Sequence, residues 1–415
     1  MKKLNNYPEG WSLSKIEDIC QVKGRVGWKG YTKEDLMESG PLTLGAMHID
    51  SNNKLDLTEP VFLSKEKFEE SPEIMVNKGD IIMAQRGSLG KVALIDKGIG
   101  EATINPSMVL LKGIKINSKY LYYALCSDNI QQTILSETSQ TSIPMISQKQ
   151  INNFLIPVPP LPEQEKISDV LSSVEEAIEK TQEIIEQADE VKKGLMKQLL
   201  TKGIGNTRFK ETELGIIPEE WDISTFSFLC DLRSEKFNPK IDKNMTYIGL
   251  EHIEQGTGKV LGSGNSKDTS SIKAVFKKGD VLFGKLRPYL KKYWLADFDG
   301  VCVTEILPLV ARENMLPEFL FLLLQQAEFI DYVSQRSFGT KMPRTSWDEI
   351  KGYPCFVPPI EEQKRIVKVV SVFEKKIDLE RGALKYLSEI KKGLMQSLLT
   401  GKIRVKVDEA EVTQV

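Results

Sequence analysis

The sequence is poor in the residues and motifs that most often carry catalysis or hold metal ions. Two histidines and five cysteines occur in 415 residues, and no two cysteines have the CxxC spacing of a zinc or redox site. No GxGxxG follows a predicted strand, and neither GxxxxGK[ST] nor HExxH is present. The Asn105-Pro106-Ser107 segment lacks the aromatic residue of an amino-methyltransferase loop. We therefore predict that the chain is not an enzyme by itself and binds no metal or cofactor.

Long apolar runs and an excess of charge of either sign are also missing. The longest apolar run, FLFLLL from Phe319, is far too short to span a bilayer. The first residues, MKKLNNYPEGW, lack the apolar segment of a signal peptide. We therefore expect a soluble, cytoplasmic protein. The 56 basic and 58 acidic residues leave a net charge of −2, so any nucleic-acid binding must come from local basic patches.

The most informative feature of the chain is an internal repeat at 199 residues (391 − 192). KKGLM occurs at Lys192–Met196 and again at Lys391–Met395. VPPLPEQEKI begins at Val158 and VPPIEEQKRI begins at Val357, which is the same spacing. Weaker matches extend through both halves at shifted offsets, because the loops differ in length. A repeated framework with varied loops favours two domains that bind two different targets.

The repeat places cysteines and histidines in matching positions. Cys20 and Cys230 each follow a tryptophan by nine residues and close matching apolar runs, so we predict that both are buried, reduced thiols. His48 and His252 occupy the same place in the two copies. Neither has a recognisable serine, cysteine or acidic partner, and we predict structural or polar-contact roles for both.

Each half is predicted to end in a long helix that follows a Pro-Pro pair. Residues 163–200 contain no proline and no glycine before Gly194, and apolar residues recur at spacings of four and three, which is typical of a coiled-coil seam. Residues 362–399 repeat this pattern with its polar interruptions in the same places. The seam positions are Ile167, Leu171, Val174, Ile178, Thr181, Ile185, Ala188, Lys192, Leu195 and Leu199, then Ile366, Val370, Phe373, Ile377, Glu380, Leu384, Leu387, Lys391, Leu394 and Leu398.

The two predicted helices carry opposite net charge. Residues 163–200 include ten acidic and five basic residues, whereas residues 362–399 include five acidic and nine basic residues. We therefore predict that the helices pair with each other, antiparallel, within one molecule. The alternative is that each is a solvated surface helix, which would leave the apolar seam exposed.

The rest of the sequence is typical of an α+β fold. Short apolar runs at Asp80–Met83, Lys91–Ile95 and Asp280–Phe283 predict strands, and residues 119–135 and 318–333 have helical periodicity. The predicted architecture is two pseudo-symmetric globular domains separated by a pair of long antiparallel coiled-coil helices. The predicted boundaries are 1–155 for the first globular domain, 156–205 for the first long helix, 206–356 for the second globular domain, 357–403 for the second long helix and 404–415 for a tail.

One stretch of the second half is strongly basic. Between Lys273 and Lys292 there are seven basic residues and a single acid, Asp280, with tyrosines interleaved. Such a stretch suits contacts to phosphates and base edges, although a charge run is often only a solvated face. The first half offers Gln and Arg instead, which can bond adenine and guanine. The candidate DNA contacts, which include two polar loops before Pro144 and Pro343, are Gln85, Arg86, Ser88, Lys91, Gln140, Thr141, Lys285, Arg287, Tyr289, Lys291, Lys292, Lys341 and Arg344.

Over essentially its whole length the chain resembles the specificity subunit of type I restriction-modification systems. The resemblance rests on V-P-P-[LI]-x-E-Q before each long helix, on KKGLM-x-x-LLT at each helix end, and on RGSLGK and KLRPYLKK around Arg86 and Arg287. It implies that each globular part is a target recognition domain that reads one half of a bipartite, asymmetric site in double-stranded DNA. It also implies that the helices set the gap and dock two adenine-N6 methyltransferase subunits, to which restriction/translocase subunits are added. S-adenosylmethionine, ATP and Mg²⁺ would belong to those partners.

Apolar residues crowd both helix ends beyond what one neighbouring helix needs, which suggests methyltransferase docking there. These candidate docking residues are Leu195, Met196, Leu199, Leu394, Met395 and Leu398. Two other interpretations stay open at this point. The chain could be a fused methyltransferase or endonuclease, although it lacks a cofactor loop, or it could be a coiled-coil adaptor that never touches DNA. The recognised bases and the gap length do not follow from the sequence.

Overall fold

In the computed structural model, the described residues are 7–25, 30–138, 144–242 and 244–406. They form two compact units. Unit 1 comprises residues 1–181 and 383–415, and unit 2 comprises residues 182–382. Each unit therefore combines one globular part with a segment of each of the two long helices.

Unit 1 contains nine strands among its described residues. They are β1 (Ser12–Lys15), β2 (Gln21–Gly24), β3 (Leu36–Leu44), β4 (Phe62–Leu63), β5 (Ile81–Ala84), β6 (Val92–Leu94), β7 (Ala102–Ile104), β8 (Met108–Lys112) and β9 (Leu155–Val158). The helices are α1 (Ile16–Ile19), α2 (Lys65–Glu69), α3 (Ser118–Cys126), α4 (Asp128–Glu137), α5 (Gln148–Asn152) and the start of α6 (Leu161–Lys202). An antiparallel sheet of order β2-β8-β5-β6 lies beside a smaller sheet of order β4-β3-β7, and β1 pairs with β9.

The globular part of unit 2, after the end of α6, repeats the four-stranded sheet and the two-stranded pair of unit 1, but among the described residues its second sheet has five strands instead of three and it has an additional hairpin. Its described strands and helices are β10 (Phe209–Thr212), β11 (Gly215–Pro218), β12 (Asp222–Thr225), α7 (Phe226–Leu229), β13 (Cys230–Leu232), β14 (Lys236–Phe237), β15 (Thr246–Ile248), β16 (Gly264–Asn265), β17 (Lys273–Phe276), β18 (Val281–Gly284), β19 (Tyr293–Leu295), β20 (Gly300–Cys302), β21 (Ile306–Ala311), α8 (Pro317–Gln325), α9 (Ala327–Gln335), α10 (Trp347–Ile350), β22 (Pro354–Val357) and the first part of α11 (Ile360–Leu398), whose residues from 383 onward belong to unit 1. The sheet β13-β21-β18-β19 matches β2-β8-β5-β6, and β12-β22 matches β1-β9. The predicted α+β fold with two pseudo-symmetric halves is confirmed.

The KGD turns that precede β5 and β18 have the same geometry in both units. Gly79 and Gly279 have φ of +91° and +90°, a left-handed conformation that glycine adopts without strain. Asp80 and Asp280 each accept a hydrogen bond at 2.8 Å from the backbone N–H three residues earlier. The turns therefore end one segment and start a buried strand, as the sequence predicts.

The two predicted helices at 119–135 and 318–333 are each broken into two. Ser127 separates α3 from α4 and has an extended backbone, with φ −67° and ψ 149°. Gln326 separates α8 from α9 with nearly the same angles. The Ser127 hydroxyl donates to the Ala124 carbonyl at 2.6 Å, which gives the last turn of α3 an alternative to a continuing helix. The apolar periodicity runs through the break, so the sequence pattern does not reveal it.

The long helices α6 and α11 pack antiparallel. In unit 1, Lys391 Nζ lies 2.6 Å from Glu175 Oε1, and in unit 2 Lys192 Nζ lies 2.6 Å from Glu374 Oε1. Lys192 and Lys391 are the same polar interruption of the predicted seam in its two copies. The interruption therefore holds ion pairs that favour one register, a known use of polar seam residues. All other predicted seam positions are buried or half-buried, and the predicted coiled-coil pairing is confirmed.

The Glu-Gln pair at the start of α6 holds the helix to the globular part of unit 1. Glu163 Oε2 accepts a hydrogen bond from Trp11 Nε1 at 3.1 Å. Gln164 accepts from Asn117 N at 2.8 Å, which is at the start of α3, and donates to Pro159 O at 2.8 Å. The repeated motif thus joins a β-strand segment, a core helix and the long helix at one point.

The same bonds recur in unit 2, where α11 begins. Glu362 Oε2 accepts from Trp221 Nε1 at 2.8 Å. Gln363 accepts from Leu316 N at 2.9 Å and donates to Pro358 O at 2.9 Å. These matching bonds explain why the motif is present in both copies of the repeat.

Each buried glutamate also binds the segment that follows a long helix. Arg404, after α11, donates to Glu163 through Nε at 3.1 Å and Nη2 at 2.7 Å. In unit 2, Ile204 N and Asn206 Nδ2, after α6, donate to Glu362 at 3.0 and 2.7 Å. The predicted tail therefore contributes to unit 1 as the segment between the halves contributes to unit 2.

Glu163→Gln is expected to lower the free energy of unfolding of unit 1 by about 1–3 kcal/mol, because bonds to a charged group are stronger than neutral ones. The Glu163 side chain is 2% exposed. Glu361→Gln is a suitable control, since Glu361 is 80% exposed and pairs with Lys364 on the surface, and it should change stability by less than about 0.5 kcal/mol. Urea unfolding of the full chain measures both, and equal losses would contradict the proposed contribution of Glu163.

The two repeat-related cysteines are buried, and the two repeat-related histidines bond to the backbone. Cys20 and Cys230 are free and buried, and burial raises the pKa of each thiol to about 12. His48 Nδ1 accepts from Gly45 N, and His252 Nδ1 accepts from Gly249 N, both at 2.9 Å. The prediction of buried, free thiols is confirmed, and the structural role of the histidines stays a prediction that these backbone bonds support.

Candidate nucleic-acid interface

The basic stretch of unit 2 forms a tight turn between β18 and β19. Arg287 and Lys291 have positive φ of +50° and +52° and flank a single 3-10 turn at Pro288–Leu290. A left-handed residue other than glycine costs on the order of 1 kcal/mol, and such strain is concentrated at ligand-binding sites. Tyr289 is 49% exposed at the tip of the turn, and Lys291 is exposed beside it.

The second polar loop of unit 2 lies directly against this turn. Arg287 N donates to Pro343 O at 2.7 Å, and Thr345 N donates to Lys285 O at 2.9 Å. The Arg287 guanidinium donates from Nη2 to Lys341 O at 3.3 Å. Two segments that are more than fifty residues apart in sequence therefore form one surface. We call Lys285, Arg287, Tyr289, Lys291, Lys341 and Arg344 the unit 2 basic surface.

An acidic residue lies among these cations. Glu305 Oε2 is 3.9 Å from Lys285 Nζ, and Glu305 Oε1 is 3.5 Å from Arg344 Nε. The backbone N–H of Lys285 also donates to the Glu305 carbonyl at 2.9 Å. Among the described residues, three buried side-chain atoms here have no hydrogen-bond partner, namely Arg287 Nε, Glu305 Oε2 and Thr345 Oγ1. Buried polar atoms without a partner are rare in folded proteins, and these three lie in one cluster.

The equivalent turn of unit 1 lies between β5 and β6. Gly87 N donates to Pro144 O at 3.1 Å, and Ile146 N donates to Gln85 O at 2.9 Å. These are the backbone bonds found in unit 2. Arg86 and Ser88 are exposed, whereas the Gln85 amide donates to two backbone carbonyls, Pro106 O and Met108 O, at 3.2 and 3.3 Å.

The bonding pattern gives a residue-by-residue correspondence between the turns. Gly87, with φ +77°, occupies the position that Arg287 occupies in unit 2. Arg86 pairs with Met145 as Leu286 pairs with Arg344. The prominent arginines of the two halves, Arg86 and Arg287, are therefore adjacent positions and not equivalent ones. The ungapped match of the two KGD segments gives the same correspondence, since it sets Arg86 against Leu286 and Gly87 against Arg287.

Two of the predicted DNA contacts hold the fold of their own unit. The Lys91 ammonium donates to the carbonyls of Ala46 and Ile49, and the Lys292 ammonium donates to the carbonyl of Leu250. Both lysines are half-buried and occupy equivalent positions. Their prediction as DNA contacts stays a prediction, but a lysine bound to carbonyls is less available to phosphates than an exposed one.

Lys273, at the start of the basic stretch, lies in the interior of unit 2. It is 2% exposed, and its ammonium donates to the Ser271 carbonyl and hydroxyl at 2.8 and 2.7 Å. The ammonium also lies over the Tyr247 ring, 5.4 Å from its centroid. Burial lowers the pKa of Lys273. The basic stretch is thus only partly a surface feature.

The predicted docking residues lie in the cores of the two units. Met196 and Leu199 are 8% and 6% exposed in the core of unit 2, against which Leu195 packs. Leu398 is 3% exposed in the core of unit 1, against which Leu394 and Met395 pack. Their role in docking stays a prediction. Because they lie in a core or pack against one, they contribute to folding whether or not they also bind a partner.

Two of the predicted DNA contacts lie outside the described residues. Gln140 and Thr141 lie in the segment 139–143, outside the described residues. In the part of the chain that the structure describes, no helix combines the length and apolar character needed to cross a membrane. No cluster of three or more potential metal ligands occurs there either.

Sequence reasoning missed Glu305 and Thr345. Glu305 immediately precedes β21, the strand that pairs with β18 and so leads back to the basic turn. Thr345 follows the second polar loop and is 3% exposed. The available signal was an acid just before a strand whose partner, β18, is followed by Lys285, but strand pairing is needed to recognise it.

Comparison with known proteins gives a consistent result. A family model described as type I restriction modification DNA specificity domain matches residues 8–190 and 218–389. The chain is 30% identical to the type I restriction enzyme MjaVIII specificity subunit of Methanocaldococcus jannaschii, over 96% of this chain and 94% of that protein. It is 24% identical to the type I restriction enzyme EcoDI specificity subunit of Escherichia coli, over 91% of this chain and 88% of that protein.

A solved structure supports the fold. The crystal structure of the type I restriction-modification S subunit from M. genitalium superposes with a TM-score of 0.57 at 17% identity, covering 96% of this chain and 98% of that one. The matched family segments span both halves, and each contains one of the equivalent turns described above. The chain belongs to the family of type I restriction-modification DNA specificity subunits.

Proposed function

We propose that each globular part reads one half of a bipartite, asymmetric site in double-stranded DNA. The observation that carries this proposal is the equivalent pair of turns, which share backbone bonds but not side chains. Gly87 and Met145 in unit 1 correspond to Arg287 and Arg344 in unit 2. A common scaffold that presents different side chains is what recognition of two different half-sites requires.

The side chains of the two turns suit different base edges. Arginine bonds guanine O6 and N7 in the major groove, and lysine bonds the same atoms. The unit 2 basic surface offers two arginines, Arg287 and Arg344, together with Lys285 and Lys341. Arg86 and Ser88 are the exposed polar side chains of the unit 1 turn. We infer that unit 2 depends more on charge than unit 1 does.

Catalysis would reside in partner subunits. Two adenine-N6 methyltransferase subunits and the restriction/translocase subunits would assemble on the long helices, and S-adenosylmethionine, ATP and Mg²⁺ would be bound by those partners. The relatives that this chain matches are named specificity subunits, which fits a non-catalytic role. The absence of a cofactor loop from the sequence supports the same division of labour.

The long helices offer an exposed apolar surface for such partners in unit 2. Ile184 and Val191 on α6 are 41% and 55% exposed, and Val372 and Leu379 on α11 are 60% and 76% exposed. In each pair the residues are seven positions apart, so they lie on one face of their helix. These four residues are better placed to touch a partner than the buried methionines and leucines at the helix ends.

Arg287→Gly is expected to weaken binding of the assembled complex to its recognised duplex roughly 5- to 150-fold, which corresponds to about 1–3 kcal/mol for a lost bidentate base contact. Glycine adopts a left-handed backbone without strain, as Gly87 does at the equivalent position of unit 1, so the turn should keep its shape. Arg287→Ala should weaken binding similarly. The measurement is a titration at fixed salt, using the motif found by methylation sequencing of cells that carry this protein and its methyltransferase.

Arg208→Ala is the matched control, because Arg208 is 77% exposed in unit 2 and lies outside the basic surface. Unchanged affinity of both Arg287 variants would remove Arg287 from the DNA contacts. If the wild-type complex shows no salt-dependent binding to any duplex, the chain is an adaptor and not a DNA reader.

A further inference from the structure

Glu305 is the one acidic side chain that contacts the unit 2 basic surface among the described residues. Its carboxylate lies between Lys285 and Arg344, at 3.9 and 3.5 Å. The side chain is 27% exposed, and Oε2 is buried without a hydrogen-bond partner among the described residues. Both cations are therefore within ion-pair distance of one carboxylate, and Arg344 is the most exposed of the three side chains at 48%.

A carboxylate at this place works against simple attraction of DNA. It repels phosphates and reduces the local positive charge that drives sequence-independent binding. A surface that served only to hold the DNA backbone would be better without it. The same carboxylate limits the rotamers of the two long cationic side chains, and ordering donors before binding favours specific contacts.

Unit 1 lacks this arrangement. The backbone bond from Lys285 N to Glu305 O corresponds to the bond from Gln85 N to Ser107 O, both at 2.9 Å. Serine therefore replaces glutamate where glutamine replaces lysine. The acid occurs only in the copy of the turn that carries the cations, which indicates that it acts on them.

The proposal rests on the DNA-reading function proposed above. We propose that Glu305 is a positioning residue for specificity: it holds Lys285 and Arg344 in the orientation that reads base edges and lowers the attraction of this surface for DNA of any sequence. Unit 1 would discriminate its half-site without this device.

Glu305→Gln tests the proposal because it removes the charge and keeps the shape. We expect binding of the methyltransferase complex to the motif that it methylates to weaken roughly tenfold, which is the effect of one misplaced base contact. Binding to a duplex with a scrambled motif should stay the same or become tighter, since a repulsive charge is lost. The bases preferred in the half-site read by unit 1 should not change.

Asp231→Asn is the matched control, because it removes an acid paired with Arg312 in the same unit, away from the basic surface. It changes the net charge equally and should leave the ratio of specific to non-specific affinity at its wild-type value. Thermal unfolding of each complex accompanies the titrations. This ratio separates positioning from folding, since a folding defect lowers both affinities together.

Three results would overturn the inference. The first is a ratio of specific to non-specific affinity in Glu305→Gln that equals the wild-type ratio. The second is a parallel loss of specific and non-specific affinity with a lower unfolding temperature. The third is an equal change of the ratio in Asp231→Asn. Failure of the underlying function looks different, since the wild-type complex would then prefer no bipartite motif.

Discussion

Inserting one heptad into each long helix is expected to widen the gap between the recognised half-sites by at most about three base pairs. Seven residues add about 10 Å at ~1.5 Å per residue, and DNA rises ~3.4 Å per base pair. The helices α6 and α11 have 42 and 39 residues, so the change is a modest fraction of their length. The bases read within each half-site should stay the same, because neither turn is altered.

The antiparallel register determines where the insertions belong. The ion pairs Glu175–Lys391 and Lys192–Glu374 lie the same number of positions apart on both helices, 17 on α6 (192 − 175) and 17 on α11 (391 − 374). Insertions between residues 182 and 183 of α6 and between 383 and 384 of α11 fall between these pairs. They keep both ion pairs and keep the apolar seam in phase. Insertions at repeat-equivalent positions, such as after Ile178 and Ile377, would not face each other.

A four-residue insertion in α6 alone is the control, since it rotates one seam away from the other and should abolish function. Methylation sequencing of cells that carry each variant and the methyltransferase measures the gap directly. A folded and assembled heptad variant that still methylates sites with the original gap would contradict a ruler role for the helices.

The arrangement of helices and strands in this fold could be predicted because the sequence contains its pattern twice. The seam positions of both helices, the KGD turns and the strands after them all follow local rules of periodicity and turn chemistry. Glycine at positive φ in the KGD turns and apolar residues every three or four positions need no knowledge of distant contacts. For this reason the α+β class and the helix pairing could be predicted.

The contacts that define the recognition turns could not be predicted, because they depend on strand pairing and loop closure. Arg287 lies at a left-handed position that corresponds to Gly87, and no local pattern predicts an arginine there. Glu305 approaches Lys285 only because β21 pairs with β18. The helix breaks at Ser127 and Gln326 are hidden by apolar periodicity that continues across them.

The docking residues show a different limit of sequence reasoning. Apolar residues at helix ends can serve a partner or their own domain, and the pattern is the same for both. Met196 and Leu398 serve the cores of their units. Met196→Glu would place a charge in a hydrophobic core, which is strongly destabilising, so loss of methyltransferase binding by that variant would not demonstrate docking.

Leu379→Glu is the sharper test of partner docking and is expected to abolish co-purification with the methyltransferase subunit. Leu379 is 76% exposed on α11, so the substitution should leave the isolated chain folded. A charge at the centre of an apolar interface loses the burial energy of leucine and desolvates a carboxylate, and we expect affinity to fall at least about tenfold. Ile216→Glu is the matched control, because Ile216 is 67% exposed on β11 of the same unit and belongs to neither long helix. Pull-down of the tagged methyltransferase with each variant measures the effect. Wild-type recovery of Leu379→Glu would move the docking surface away from this face of α11, and equal loss by Ile216→Glu would show that the effect is not local.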